Sequence, residues 1–193
     1  MEQHYNPVSH NIDLQLLHDH CRQHGEAVTY ARGECLEREG EQAQWFAFVE
    51  QGCFKYTTNG ISDGREHITW FSFADEFVGD YPNVLYGRPA QMTIEAIIPS
   101  RVWQISGEHL HQFFSQSPET MMLHTLVSDH ILTQFQARYI DFFRATPRER
   151  YDMLLQRCPG IVNDLPLKTI ASFLNITPKT LSMLRRTASD EQK

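Results

Sequence analysis

No run in the chain approaches the roughly 18 consecutive apolar residues that a bilayer span requires. The opening residues, MEQHYNPVSHNID, contain neither the basic stretch nor the apolar stretch of an export signal. Membrane spanning and Sec-type export are therefore not expected. Cysteine is scarce: Cys21, Cys35, Cys53 and Cys158 lie far apart in 193 residues, with no Cys-x-x-Cys spacing. A structural zinc site or an iron–sulfur cluster thus lacks its usual footprint, and reduced thiols in a cytoplasmic protein are the expectation. There is no Gly-x-Ser-x-Gly and no glycine-rich phosphate loop. The cysteines have no recognisable His and Asn framework around them, so no catalytic residue is nominated and no enzyme is expected. Internal repeats and low-complexity segments are also missing.

What is present suits an ordinary folded chain, with 41% hydrophobic and 21% charged residues over a length that allows one or two domains. The net charge is −7, but it is unevenly spread. Residues 144–193 hold nine Lys or Arg against five acids, a net of +4, which leaves −11 on residues 1–143. An acidic body with a basic C-terminal quarter suggests two modules with different partners, the basic one meeting an anion such as DNA phosphate.

Asn11 is placed to cap a helix running to about His24, where Gly25 stops it. From Val28 to Ile105 the pattern changes to short β-type runs, VTYA, AQWFAFV, CFKYTT, HITWFSF, MTIEAII and RVWQI, separated by turn signals such as Arg32-Gly33 and Ser62-Asp63-Gly64. Strands spaced this closely, with no helical pattern between them, imply an antiparallel sandwich or barrel. A short helical segment over 107–115 precedes a long one from Pro118 to about Arg144 with apolar residues on more than one stripe. One stripe can cover the β-domain, and a free one most economically meets its own copy across a twofold axis. Thr146-Pro147-Arg148-Glu149 opens a fresh helix. The expected division is therefore a β-domain over 1–117, a long dimerisation helix over 118–144 and a third unit over 145–193.

The strongest signal is LPLKTIASFLNITPKTLSMLRR, from Leu165 to Arg186. A helix-turn-helix needs a small residue where its helices cross, a turn residue tolerant of positive φ four positions later, and apolar residues that seal the second helix on the first. Ala171 and Asn175 supply the first two, and Ile170, Leu174, Ile176, Leu181 and Leu184 supply the seal. Thr177-Pro178 is an N-cap and N1 pair for a second helix whose N-terminal end would enter the major groove. Lys168, Thr169, Thr177, Lys179, Thr180 and Ser182 are the candidate DNA contacts, with Arg185 and Arg186 as phosphate anchors.

A β-roll, a long helix and a helix-turn-helix in this order resemble the Crp/Fnr family of bacterial transcription regulators, from about Val28 to Arg186. The segment IASFLNITPKTLS looks closest to the short subgroup common in Bacteroidetes. Arg32-Gly33-Glu34, Val49-Glu50-Gln51-Gly52, Asp63-Gly64-Arg65-Glu66 and Phe77-Val78-Gly79-Asp80 resemble the family's β-roll turns. The resemblance implies an α+β fold, an antiparallel β-roll of the double-stranded β-helix or cupin-like kind, followed by a dimerisation helix and a DNA reader. It also implies a homodimer on double-stranded DNA, with a small-molecule effector and RNA polymerase as further partners. Members that bind cyclic nucleotides use a Gly-Glu pair for the ribose and an Arg followed by small residues for the phosphate. The matching stretch supplies Gly79, Asp80, Arg88, Pro89 and Ala90, and the nearest counterpart of a Thr-Ser pair in the long helix is Thr133. Asp80 is one methylene shorter than Glu, Pro82 removes an amide donor and Thr133 is followed by Gln134. The expected effector is accordingly unknown and not cyclic AMP. In the reading helix, Lys179 and Met183 replace the Glu and Arg that the family often carries, so its usual half-site does not transfer.

Two other readings stay open. Met183 keeps alive an interaction module whose helix-turn-helix has lost DNA binding. His109-Leu110-His111 is similar to the His-x-His of metal-binding cupins, although it falls after the last strand. His18, His20, Cys21 and His24 crowd one helix without a complete ligand set, so a polar helix surface and no metal are expected there.

Overall fold

The computed structural model describes residues 13–62, 64–157, 161 and 165–190. Asn11, Asp63 and Cys158 lie outside the described residues. Helix α1 (Gln15–His24) ends at Gly25, whose N–H returns to the Cys21 carbonyl. Eight strands follow: β1 (Glu26–Tyr30), β2 (Cys35–Glu37), β3 (Trp45–Gln51), β4 (Cys53–Asn59), β5 (Glu66–Phe73), β6 (Phe77–Val78), β7 (Thr93–Ala96) and β8 (Ser100–Ser106). They pair antiparallel in two sheets, ordered β1-β8-β3-β6 and β2-β7-β4-β5. All six expected runs form strands. The two additional ones, β2 and β6, have three and two residues, too few to display an alternating pattern.

The runs look continuously apolar because both faces of the strands are covered. Along β3, Ala47 and Val49 join Phe54, Tyr56, Ile94 and Val102 in the core between the sheets. Phe46 and Phe48 project from the opposite face onto Leu17, Leu110, Phe113 and Leu123 of the surrounding helices. In β5 the pairing slips between Tyr56 and Thr57, so Thr69 is an extra residue, a bulge. That bulge lets Ile68 and Phe71 enter the same cluster as the C-terminal helices. The tight β3–β4 connection requires Gly52, which has φ +110° and whose added Cβ would meet Ser100 Oγ at 2.1 Å.

Helix α2 (Gly107–Phe114) is capped by Ser106. Helix α3 (Pro118–Arg144) starts in a capping box, Ser117 with Thr120, and carries Pro118 at its first turn. Its 27 residues span about 40 Å. Leu123, Val127 and Gln134 are buried against the β-roll, whereas Leu132, Tyr139 and Phe143 stand exposed on the other side. Ala145 is extended and ends α3, and Thr146 and Glu149 then exchange hydrogen bonds to open α4 (Pro147–Arg157).

The chain closes with α5 (Leu167–Phe173) and α6 (Pro178–Asp190). These helices do not stand apart from the β-roll. Tyr151, Leu154, Ile170 and Phe173 share one core with Ile68, Phe71 and Phe73, and the Ile68 N–H donates to Ser172 Oγ at 3.1 Å. Since β5 is the outer strand of its sheet, α5 covers an edge that would otherwise be open to pairing. No described helix is long and apolar enough to cross a membrane.

Candidate functional site

Helices α5 and α6 meet through small and apolar residues: Ile170, Ala171 and Leu181 are fully buried, and Leu174 nearly so. The turn between them passes through Asn175 at φ +54°, a left-handed conformation that Asn tolerates better than other non-glycine residues. The Asn175 N–H donates to the Ser172 carbonyl and the Ile176 N–H to that of Ala171, each at 3.0 Å. Thr177 Oγ1 accepts from the Thr180 N–H at 3.1 Å and so caps α6.

Residues 179, 182, 183 and 186 follow the i, i+3, i+4, i+7 spacing of a single helix face. Lys179, Ser182, Met183 and Arg186 are all exposed, while Leu181 holds the opposite face in the core. Two cations thus bracket the outer face of α6. Thr180 and Arg185 flank it, and Lys168 is exposed on α5 with Thr169 half-buried beside it. Burial raises the pKa of the Tyr151 hydroxyl, an effect that the positive charges of Arg185 and Arg148 oppose. The Ser182 hydroxyl donates back to the Pro178 carbonyl at 2.9 Å. Thr177 and Thr180 Oγ1 atoms lie 2.9 Å apart. The Thr180 and Ser182 hydroxyls are thus engaged within the helix, while Lys179, Met183 and Arg186 stand exposed.

Two arginines tie the turn of this helix pair to the rest of the chain. Arg138, on α3, donates to the Phe173 carbonyl at 2.6 Å and lies 3.6 Å from the centre of the Phe173 ring. Arg150, on α4, donates to the Leu174 carbonyl at 3.3 Å and to that of Ala145 at 2.7 Å. The last carbonyls of α5 are thereby satisfied by cations from two other helices, an arrangement that suits the negative end of the helix dipole.

A second feature is a cavity of about 130 Å³ between the β-roll and α3. Trp70 and Phe135, with ring centres 5.4 Å apart, lie on its wall. Tyr56, Tyr81, His130 and Gln134 bring polar atoms to it. These atoms already have partners: Tyr56 Oη takes the Gly79 N–H and meets Ser72 Oγ, Tyr81 Oη meets Ser128 Oγ, and Gln134 meets His130. Burial pushes the Tyr56 pKa up to about 12 and lowers that of His130, so both are neutral near pH 7. The wall includes Asp75 and Glu76 and neither Lys nor Arg.

Of the residues matched to a nucleotide cassette, Gly79 lines this cavity and the others do not. Asp80 is only 1% exposed, and its carboxylate accepts from the Gln91 N–H and from Asn83 Nδ2 at 3.2 Å. It pins the 80–91 loop to itself. Arg88 is exposed and lies over the Tyr86 ring, 5.0 Å from its centre. Pro89 is exposed beside it, and the buried Ala90 donates its N–H to the Glu41 carbonyl. Thr133 is exposed on α3, and its neighbour Gln134 is the residue that turns inward. Sequence reasoning missed Trp70 and Phe135 as a pair, because apolar periodicity cannot say which two aromatic residues will face each other across a cavity.

Residues 27–117 match the family model of the cyclic nucleotide-binding domain. That assigns the β-roll. No curated protein matches the chain in sequence. Among solved structures it is similar to FixK2 from Bradyrhizobium japonicum, with TM-score 0.75 and 18% identity over 87% of this chain and 86% of that one. It is also similar to the c-di-GMP-responsive global regulator CLP from Xanthomonas campestris, with TM-score 0.68 and 15% identity over 93% of each chain. A third match is a protein from Eubacterium rectale assigned to the Crp/Fnr family of transcriptional regulators, with TM-score 0.67 and 12% identity over 98% and 89%. The chain thus shares the fold of these structures, and residues 27–117 form a domain of the cyclic nucleotide-binding type.

Proposed function

We propose that the protein is a homodimeric transcription regulator that reads duplex DNA with α6, the second helix of a helix-turn-helix formed with α5. The observation that carries this reading is the outer face of α6, where Lys179, Ser182, Met183 and Arg186 are exposed on a helix held in the core by Leu181. A helix so presented fits the major groove, its cations meeting phosphates or base edges. Lys168 and Thr169 lie at the start of α5, where the first helix of such a unit crosses the backbone. Residues 1–117 form the sensory part, 118–144 the dimerisation helix and 145–193 the DNA-binding part. RNA polymerase is the partner through which such a regulator acts.

The cavity under α3 suits a small uncharged molecule better than a cyclic nucleotide. A phosphate there would meet carboxylates and no cation from the wall, and an unpaired anion in a water-poor site is costly. Calorimetric titration with cyclic AMP and with cyclic GMP is expected to give no heat of binding at micromolar ligand. Low-micromolar binding of either would overturn this reading of the cavity.

Hydroxyl-radical footprinting on a selected duplex tests the reading as a whole. Two protected half-sites about 10 base pairs apart, centre to centre, are expected of a symmetric helix-turn-helix dimer. A single protected half-site would remove the dimer, and no footprint would remove the DNA reader. The second reading, an interaction module, is favoured by Met183, which is 61% exposed in the middle of the reading face. An absent footprint would move it to first place.

A further inference from the structure

Histidines from two distant parts of the chain meet between α1 and α2. His20 and His24 lie four residues apart on α1, and His109 comes from α2. The Nε2 atoms of His20 and His109 are 3.2 Å apart. Ring centres are separated by 4.7 Å for His20–His24, 5.0 Å for His20–His109 and 5.9 Å for His24–His109. In a tetrahedral zinc site with bonds of about 2.1 Å, ligand nitrogens are about 3.4 Å apart and imidazole centres about 5 Å apart. The His20–His24 and His20–His109 pairs stand at close to that spacing, and His24–His109 is wider.

His20 is 8% exposed and is stacked on Phe113, with ring centres 3.9 Å apart, so it cannot swing away. His24 is exposed and free to turn. As the side chains stand, no group of three such residues among the described ones is arranged to hold an ion. The His24 ring lies tilted against His20, and rotation about its side-chain bonds is the adjustment that brings its nitrogen to the other two. A pair of histidines at i and i+4 on a helix is also the spacing by which helices grip zinc elsewhere.

We propose that His20, His24 and His109 form a binding site for one divalent transition ion, zinc by the all-imidazole donor set, with water completing the coordination. The ion would cross-link α1 to α2 and thereby fix the helix that leads into α3.

Cobalt(II) titration of the full chain tests the site, because four-coordinate cobalt absorbs visibly and substitutes for zinc. One equivalent per chain is expected, with visible bands that zinc abolishes by displacement. His24→Gln and His109→Gln change side chains that are not fully buried, so folding should be retained, and each should weaken cobalt binding at least tenfold. His111→Gln, on the same helix but outside the trio, should leave the affinity unchanged. No stoichiometric binding to the native chain would overturn the proposal. So would equal affinity in the native, His24→Gln and His109→Gln proteins, which would place the ion elsewhere.

Discussion

Lysine at both Leu132 and Tyr139 is expected to turn the proposed dimer into a monomer. These residues are 66% and 64% exposed, and with Phe143, at 75%, they repeat along one face of α3 at spacings of seven and four. The opposite face, with Leu123 and Val127, is already buried against the β-roll. An exposed apolar stripe on a long helix is most simply covered by its own copy, since the same residues then meet across a twofold axis. Burying an ammonium group there costs several kcal/mol, and every 1.4 kcal/mol is tenfold in affinity. The double variant should raise the dimer dissociation constant about a hundredfold or more. Light scattering at micromolar concentration reads the change directly, and a native chain that is itself monomeric would remove the claim. Phe135 would be a poorer choice of site, because it packs on Trp70 within the subunit.

The second large effect concerns the reading helix. Under the proposed DNA-reading role, replacing Arg186 by Ala is expected to remove one phosphate contact per protomer. Each contact contributes about 0.9 to the slope of log affinity against log salt, so a dimer should lose about 2 from that slope and weaken on every sequence alike. Lys179→Ala should act differently, reducing the preference for the selected site by about 1–3 kcal/mol for each base it reads. Fluorescence anisotropy over a salt series separates the two roles. If both variants change only the salt slope, Lys179 is a phosphate contact as well. Because residues 1–143 carry −11, the body opposes approach to DNA, and useful affinity depends on two basic modules arriving together. The double Lys variant at Leu132 and Tyr139 should therefore lose DNA binding along with dimerisation.

Features written in local chemistry were legible in the sequence. The long helix runs from Pro118 to Arg144 because Ser117 and Pro118 start it and an extended Ala145 ends it, and those signals involve neighbouring residues only. Asn175 and Thr177-Pro178 likewise marked the turn and the start of α6. Features that depend on pairing over distance were not. The strands β2 and β6 exist because longer partners hold them, not because of their own pattern. His20 and His109 are 89 residues apart, so the first reads as part of a polar helix surface until the fold brings the second beside it. The cassette residues Asp80 and Arg88 could be aligned from sequence, but whether their charges point into a cavity is decided by the loop. Asp80 turns to Asn83 and Gln91, and Arg88 to Tyr86.

Competition between fragments of the native genome and random duplex is the most direct test of sequence-specific DNA reading. Fragments enriched by the full-length protein should bind at least a hundredfold tighter than random duplex of equal length at about 0.15 M salt, within the wide range by which specific sites exceed non-specific ones. The preference should be lost in the Lys179→Ala, Arg186→Ala double variant. Equal affinity for enriched and random duplexes would contradict the regulator reading.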